Sequence, residues 1–200
     1  DVCSSDLPDK ITDNVLLASQ IITTLHQTIP RSAPPLVPTV LSFGKVHAEG
    51  ATNVIPDEVY IEGTFRTMNE AWRTDAHKKI EGIAKNLAEN FGAECRVEIK
   101  KGYPVLINDE IYTNKAIDAA KTLWGKEKVK ELEKRMTAED FAYYSQEIPG
   151  IFYRLGTGLK DNNEQPPLHS SKFIVDEDAI KTGMSTMAWL AIELLAGSEE

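Results

Sequence analysis

Apolar side chains in the first half of the chain recur at the spacing of helices. Between residues 11 and 29 they fall every three or four positions, which places them on one helical face, and Pro30 is expected to end this helix. Asn69 is a good N-cap for a second helix, whose apolar stripe runs through residues 72–91 and stops at Gly92. The pattern predicts two amphipathic helices.

Shorter stretches between and after these helices have the period of strands. Residues 39–43 are rich in β-branched and aromatic side chains, and residues 44–53 are interpreted as a connection. Residues 59–66 alternate apolar with polar, which turns Arg66 away from the covered face, and residues 94–100 alternate in the same way. The order helix, strand, strand, helix, strand predicts a ferredoxin-like βαββαβ unit that lacks its first strand, with both helices on one sheet face.

A different pattern begins near Pro104, where we expect a domain boundary. Asn108 is predicted to cap a third helix, Thr137 a short fourth helix and Asp176 the last one. Residues 151–155 are predicted to form a buried strand. The expected buried stripe of the last helix is Ile180, Met184, Met187, Ala191 and Leu194. The predicted fold class of the chain is therefore α/β (α+β), with an incomplete second part.

The first residues of the chain fit neither pattern. Residues 1–7 show no periodicity and connect poorly to the first helix, so we interpret them as a non-native or junction segment. The predicted division is then residues 8–103 and residues 104–200.

Composition and charge exclude several classes of function. The chain has 200 residues, 42% of them hydrophobic and 26% charged, which is typical of a globular protein with a packed core. Its net charge of -9, without a cluster of Lys or Arg, argues against nucleic acid and anionic membranes as partners. Cys3 and Cys95 are too few and too far apart for a disulfide scaffold, and neither a bilayer-spanning run nor a signal peptide is recognised. We therefore expect a cytoplasmic location.

Histidine supplies the first candidate for chemistry. None of the four histidines pairs with another at the spacing of a helical metal site, and the HExxH motif is absent. His169, in the segment PPLHSSKF, follows a glycine-containing loop and precedes a helix, where a histidine can face a cleft. The alternative is a loop histidine without a ligand role, since a catalytic zinc needs about three protein ligands.

Asn53 and Arg66 bracket the second predicted strand. An amide and an outward guanidinium could together bind a substrate carboxylate or polarise a carbonyl. Alternatively, Asn53 is a turn residue and Arg66 a solvated strand end. The adjacent carboxylates Glu139 and Asp140 are interpreted as partners of a helix dipole rather than as catalytic groups.

Four sequence segments occur in one order along the chain. They are NVIPDEVYIEGTFR at 53–66, TAEDFAYYSQEIPG at 137–150, RLGTG at 154–158 and PPLHSSKF at 166–173. Together they resemble the M20 family of metal-dependent amidohydrolases and peptidases, which includes aminoacylases, hippurate hydrolases, N-acetyl-diaminopimelate deacetylases and auxin-conjugate hydrolases. The similarity covers nearly the whole chain from about residue 10 onward, and its first two segments are fairly specific to the family.

The resemblance implies a two-domain enzyme. Its catalytic domain would hold two divalent metal ions per subunit (zinc, manganese or cobalt), and an inserted ferredoxin-like domain would pair two subunits into a homodimer. Residues 8–103 match the dimerisation domain, and residues 104–200 match the C-terminal part of the catalytic domain.

Individual residues take their expected roles from the same resemblance. His169 matches the last metal ligand, and Asn53 and Arg66 match residues that contact substrate. Gly156 and Gly158 belong to a stretch that matches a loop lining the cleft. The other metal ligands and the catalytic glutamate would lie upstream, so we expect this chain alone to be inactive as a hydrolase.

Three functions compete at this point. The leading one is the C-terminal portion of an enzyme that hydrolyses the amide bond of N-acyl amino acids or small peptides. The second is a non-catalytic dimerisation or interaction module that keeps only the pairing surface. The third, an unrelated ferredoxin-like ligand-binding regulator, would explain the first half of the chain but not the EDF and HSSKF segments.

Overall fold

The computed structural model of the chain describes residues 9–159 and 166–196. They form two compact units: the first contains the residues up to Val105 together with Met136–Ala138, and the second contains Leu106–Arg135 and the residues from Glu139 onward. The predicted junction segment, residues 1–7, lies outside the described residues. Within the described ranges, no helix is long and apolar enough to cross a membrane.

Five α-helices and two β-strands are assigned in the described part of the chain. In chain order they are α1 (Asn14–Ser32), β1 (Thr39–His47), β2 (Tyr60–Thr67), α2 (Glu70–Asn90), α3 (Glu110–Trp124), α4 (Phe141–Glu147) and α5 (Asp178–Ala196). Helices combined with a small sheet confirm the predicted α/β class.

The core of the first unit lies between α1, α2 and the sheet. Its buried residues are Leu17, Ile21, Leu25, Ile29, Leu41, Trp72, Ala76, Ala84 and Ala88. Asn69 caps α2 as predicted, because its Oδ1 accepts a hydrogen bond from the Trp72 N–H. At α1 the predicted ends are wrong: Asp13 caps the helix, and Pro30 lies inside its last turn. A proline this close to the end removes a single helical hydrogen bond, and the burial of Ile29 holds the turn in place.

β1 and β2 pair antiparallel, with Thr39 opposite Thr67. β1 is longer than predicted and runs through part of the predicted connection, because Gly44 forms a bulge and pairing resumes after it. The alternation predicted for β2 is confirmed, since Ile61 and Phe65 are half-buried while Arg66 is exposed.

Residues 94–100 are not a strand of this sheet, contrary to the prediction. They keep the burial of a strand, because Cys95 and Val97 pack against the core while Glu94 and Arg96 are exposed. Among the described residues, however, the sheet contains β1 and β2 alone. Alternation identifies a covered face, but it carries no information about the hydrogen-bond partner that a strand needs.

In the second unit α3 packs against α5. The buried residues of this cluster are Ala116, Ala119 and Leu190. Asp109 rather than Asn108 caps α3, by accepting a hydrogen bond from the Tyr112 N–H at 2.9 Å. The Asn108 side chain instead bonds the backbone N–H and C=O of Phe152, at 2.8 and 2.9 Å. Residues 151–155 are not assigned as the predicted strand. The Asn108 side chain bonds the backbone N–H and C=O groups of Phe152, which in a sheet would pair with a neighbouring strand.

The buried stripe predicted for α5 is wrong. Ile180, Met184 and Met187 are 62%, 69% and 61% exposed, whereas Ala179 and Leu190 are buried. α5 carries apolar residues around most of its circumference, so their spacing does not select one face. The contact with α3 decides which residues are covered.

The short helix α4 begins later than predicted. Thr137 belongs to the first unit, and Asp140 occupies the N-cap position of α4 without a side-chain hydrogen bond to the helix. Glu139 pairs with Arg154, with 3.3 Å between Oε1 and Nη2. The two carboxylates therefore precede α4 rather than lying in its first turn.

Candidate functional site

Asn53 lies in a four-residue turn of the first unit. Ala51 and Val54 exchange two backbone hydrogen bonds, of 3.0 and 3.1 Å, which close the turn around Thr52 and Asn53. The Asn53 residue is exposed. Asn53 is therefore a turn residue, and a role toward substrate stays a prediction.

Two features hold the loop that contains this turn. A Cβ atom at Gly50 would lie 2.5 Å from the Val54 oxygen and 3.0 Å from Pro56 Cδ, so the close approach of the two backbone segments requires glycine. Asn14 Nδ2 donates to the carbonyl oxygens of Pro56, at 3.1 Å, and of Asp57, at 2.7 Å. The loop is thereby fixed to the first turn of the helix.

Arg66 lies near the end of β2, on its exposed face. Its Nη1 donates to the backbone oxygen of Met136 at 3.0 Å, which ties the segment Met136–Ala138 to the first unit. A guanidinium has five N–H donors, so donors remain for a second acceptor such as a carboxylate. Asn53 and Arg66 thus belong to one unit and flank the same strand.

Gly156 and Gly158 flank Thr157 in a loop of the second unit. The Thr157 oxygen accepts a hydrogen bond from the Asp176 N–H at 2.9 Å, and Asp176 Oδ1 accepts one from the Asp178 N–H at 3.0 Å. The loop is thereby fixed to the start of α5. A Cβ atom at Gly156 would meet nothing within 4 Å, so this face of the loop is open.

His169 occupies a tight turn of the second unit. The Ser170 N–H donates to the Pro167 oxygen at 3.2 Å, and the Phe173 N–H donates to the Ser170 oxygen at 3.0 Å. His169 has a backbone φ of 67°, the one positive value found at a non-glycine position in the described ranges. Side chains with a Cβ avoid this left-handed region at a cost of about 1–2 kcal/mol. The turn nevertheless holds His169 there and leaves the residue exposed.

At His169 the structure offers a single imidazole rather than a complete metal site. Among the described residues, no three His, Cys, Asp or Glu side chains come together as a metal ion would require. The imidazole of His169 suits zinc, manganese or cobalt, but it is a single ligand where zinc takes three or four from a protein. The residues present therefore fit a metal only in part, and no hydrolytic step follows from them alone.

Sequence reasoning missed the contacts that position these residues. The bonds from Asn14 to the carbonyls of Pro56 and Asp57 span 42 and 43 residues, and the bond from Arg66 to Met136 spans 70. The ion pair between Glu139 and Arg154 joins two of the quoted segments and was equally hidden. The sequence shows only that one segment contains the acidic Glu139 and another the basic Arg154. Opposite charges in two segments are too common to predict an ion pair.

Comparison with known proteins adds independent evidence. The family described as Peptidase family M20/M25/M40 matches residues 7–193. N-acetyl-L-cysteine deacetylase of Bacillus subtilis is 34% identical over 194 residues, which cover 97% of this chain and 45% of that protein. IAA-amino acid hydrolase ILR1-like 4 of Arabidopsis thaliana is 32% identical over 193 residues, which cover 94% and 44%. The chain spans about half the length of the curated relatives it matches.

Solved structures show the same relationship. The YXEP protein of Bacillus subtilis, described as a dinuclear metal-binding peptidase from the M20 family, matches with a TM-score of 0.75 at 30% identity. The match covers 92% of this chain and 47% of that one. Aminopeptidase PepT from Bacillus cereus also gives a TM-score of 0.75, over 97% of this chain and 48% of that one, and its 15% identity extends the likeness to the fold alone.

Proposed function

This chain belongs to peptidase family M20/M25/M40, and from that premise we propose that it is the C-terminal portion of a metal-dependent amidohydrolase. The substrate class proposed is N-acyl amino acids or small peptides, cleaved at the amide bond. The observation that carries the proposal is the family match over residues 7–193 by a chain that covers about half of each relative. The names of the relatives, a deacetylase and an amino-acid-conjugate hydrolase, support the substrate class.

Each candidate residue has a proposed role in the complete enzyme. His169 is a metal ligand, and Asn53 and Arg66 bind the carboxylate of the substrate. Gly156 and Gly158 line the cleft. When two cations are bound in such a site, they polarise the scissile carbonyl and acidify a water molecule. The exposed imidazole of His169 in its left-handed turn and the remaining donors of Arg66 support these roles.

We expect the chain alone to be inactive, because no three potential metal ligands come together among its described residues and His169 is the single ligand proposed from this chain. The purified 200-residue chain should not hydrolyse hippurate or N-acetyl amino acids with zinc, manganese or cobalt supplied. Metal-dependent turnover by this chain would contradict the proposal of inactivity.

The active form to test is the parent protein, rebuilt with its upstream half. Its turnover should disappear in the His169→Ala variant and persist in the His47→Ala variant, a matched control because the His47 side chain is 66% exposed on β1. Full activity of His169→Ala would overturn the ligand role. A rebuilt protein that stays inert with all three metals would overturn the enzyme proposal for these substrates.

A second candidate is a non-catalytic dimerisation or interaction module built on residues 8–103. It accounts for the lack of a three-ligand cluster among the described residues as well as the first candidate does. Both candidates include a homodimer, so sedimentation analysis of the chain does not separate them. Turnover by the rebuilt parent does, because a module would pair without hydrolysing any amide.

A further inference from the structure

The chain returns to the first unit for three residues, Met136–Ala138. The residues on either side of them, Leu106–Arg135 and those from Glu139 onward, belong to the second unit. The hydrogen bond from Arg66 Nη1 to the Met136 oxygen, at 3.0 Å, joins this short segment to the end of β2. Hydrogen bonds with a charged donor are stronger than those between neutral groups. Arg66 therefore helps to hold the returning segment in the first unit.

The partner of Arg66 in this bond is a neutral carbonyl. Arg73, by contrast, pairs with the carboxylate of Glu70. For Arg66, no carboxylate lies within ion-pair distance among the residues that the structure describes. Its neighbours on the same sheet face are also neutral, since Val40 lies opposite it on β1 and Thr64 lies two residues before it on β2. The positive charge of this exposed guanidinium can therefore be used by a carboxylate from outside the chain.

The bond to Met136 also determines how the guanidinium is presented. The five N–H groups of arginine lie in one plane, and a carboxylate binds best to two parallel N–H groups at once. The bond from Nη1 restrains rotation of this plane and leaves the edge formed by Nε and Nη2 for a bidentate ligand. The acceptor at Met136 is thus suited to orient Arg66 before a ligand arrives.

We propose that the backbone carbonyl of Met136 positions Arg66 for the carboxylate of the substrate. It fixes the guanidinium plane in advance, so that binding does not have to restrict a long and flexible side chain. This role rests on the proposed function in one respect, namely that Arg66 binds the substrate carboxylate. Because coupling between two binding events is reciprocal, the bound carboxylate in turn strengthens the hold on Met136–Ala138.

Proteolysis of this chain tests the hydrogen bond itself. Arg135 directly precedes the held segment and is exposed, so trypsin can cut after it. We expect this cleavage to be about three- to tenfold faster in Arg66→Gln than in the wild type. It should be unchanged in the matched control Arg96→Gln, which removes another exposed arginine of the first unit. Equal rates in all three proteins would overturn the hold on Met136.

A backbone substitution in the rebuilt parent tests the positioning role. Lactate in place of Thr137 turns the amide after Met136 into an ester, whose carbonyl oxygen is a weaker acceptor, and Thr137→Ala is the matched control with an ordinary amide. For an N-acetyl amino acid, the ester should raise KM about three- to tenfold and leave kcat within about twofold, because the carboxylate is bound equally in the ground and transition states. For the same substrate with its carboxylate converted into an amide, ester and control should have equal KM.

The variant Arg66→Gln separates this role from a general loss of structure. In that background the ester should no longer change KM, because its effect acts through Arg66. An ester effect that persists there, or that is equal for both substrates, would overturn the positioning role. If Arg66→Gln raises KM but the ester does not, Arg66 binds the carboxylate without help from Met136. If Arg66→Gln leaves KM unchanged, or the parent is inert, the proposed function itself is wrong at this point and the positioning role fails with it.

Discussion

His169 is exposed to solvent and has a strained backbone, a combination that is uncommon in a loop residue. Its side chain is exposed, so burial does not explain its place, and its backbone takes the left-handed conformation that suits glycine. A glycine would occupy the same turn with less strain. Non-glycine residues held in this conformation cluster at functional sites, which supports a role for the imidazole itself.

Substitution of His169 by glycine or alanine separates the backbone from the imidazole. Alanine keeps the Cβ and its strain, whereas glycine relieves it, so we expect His169→Gly to unfold with a free energy about 1 kcal/mol higher than His169→Ala. Urea unfolding of the two variants of this chain measures the difference. Equal midpoints would show that the turn is not strained at this residue.

The partly buried His77 makes the stability of the first unit depend on pH. Its ring lies 5.7 Å from that of Phe65, and its pKa is lowered from 6.5 first by burial and then by the charges of Arg73 and Lys101, against an opposing effect of Glu70. The unfolded chain therefore binds a proton here at a higher pH than the folded chain does. The contribution of His77 to stability is complete above about pH 6.5 and decreases as the pH falls toward its folded pKa.

We expect the His77→Gln variant to lose part of the decrease in stability seen between pH 7 and pH 5. The measurement is the urea midpoint at each pH, for the wild type, for His77→Gln and for the control His47→Gln, whose side chain is 66% exposed. A parallel decrease in all three proteins would contradict the role assigned to His77.

The helix caps show which features can be predicted from neighbouring residues alone. Asn69 was predictable, because the N–H that it binds lies three residues away on Trp72. Asn108 and Asp109 are both good caps, and the choice between them depends on Phe152, which lies 44 residues from Asn108. For the same reason the turn of Asn53 could be recognised from its residue types, whereas its anchor Asn14 could not.

At the scale of elements, α5 shows what spacing cannot decide. Leu190 is 6% exposed in the contact with α3, whereas Met187, less than one turn away, is 61% exposed. We expect Leu190→Ala to lower the free energy of unfolding of the second unit by about 2–4 kcal/mol and Met187→Ala to change it by less than about 0.5 kcal/mol. Urea unfolding followed by hydrogen exchange of the α3 and α5 amides measures both, since these two helices form the contact that contains Leu190.

A large effect of Met187→Ala would show that the exposed face of α5 is covered in solution. The covered side of this helix could not be predicted from its sequence. A helix with apolar residues on two sides needs two neighbours, and the sequence of α5 does not say which neighbour covers which side. Residues 94–100 present the same difficulty for a strand, because their covered face was predictable and their hydrogen-bond partner was not.

The two units differ in how much of their apolar surface they bury. Among the residues that the structure describes, nine buried ones form the cluster of the first unit and three form that of the second, two of which are alanines. Large apolar side chains are exposed on α5 at Ile180, Met184, Met187, Ile192 and Leu195. Since buried apolar area is the main favourable term in folding, the second unit has the weaker core of the two.

This difference predicts the order in which the two units lose structure. In increasing urea, backbone amides of α3 and α5 should lose protection from hydrogen exchange at a lower concentration than those of α1 and α2. A hydrophobic dye should bind already in the absence of urea, because the exposed face of α5 is apolar before unfolding begins. If the amides of all four helices lost protection at one urea concentration, the small cluster of the second unit would not govern its stability. If instead α3 and α5 open first, the small buried cluster of the second unit limits its stability, as the exposed apolar face of α5 predicts.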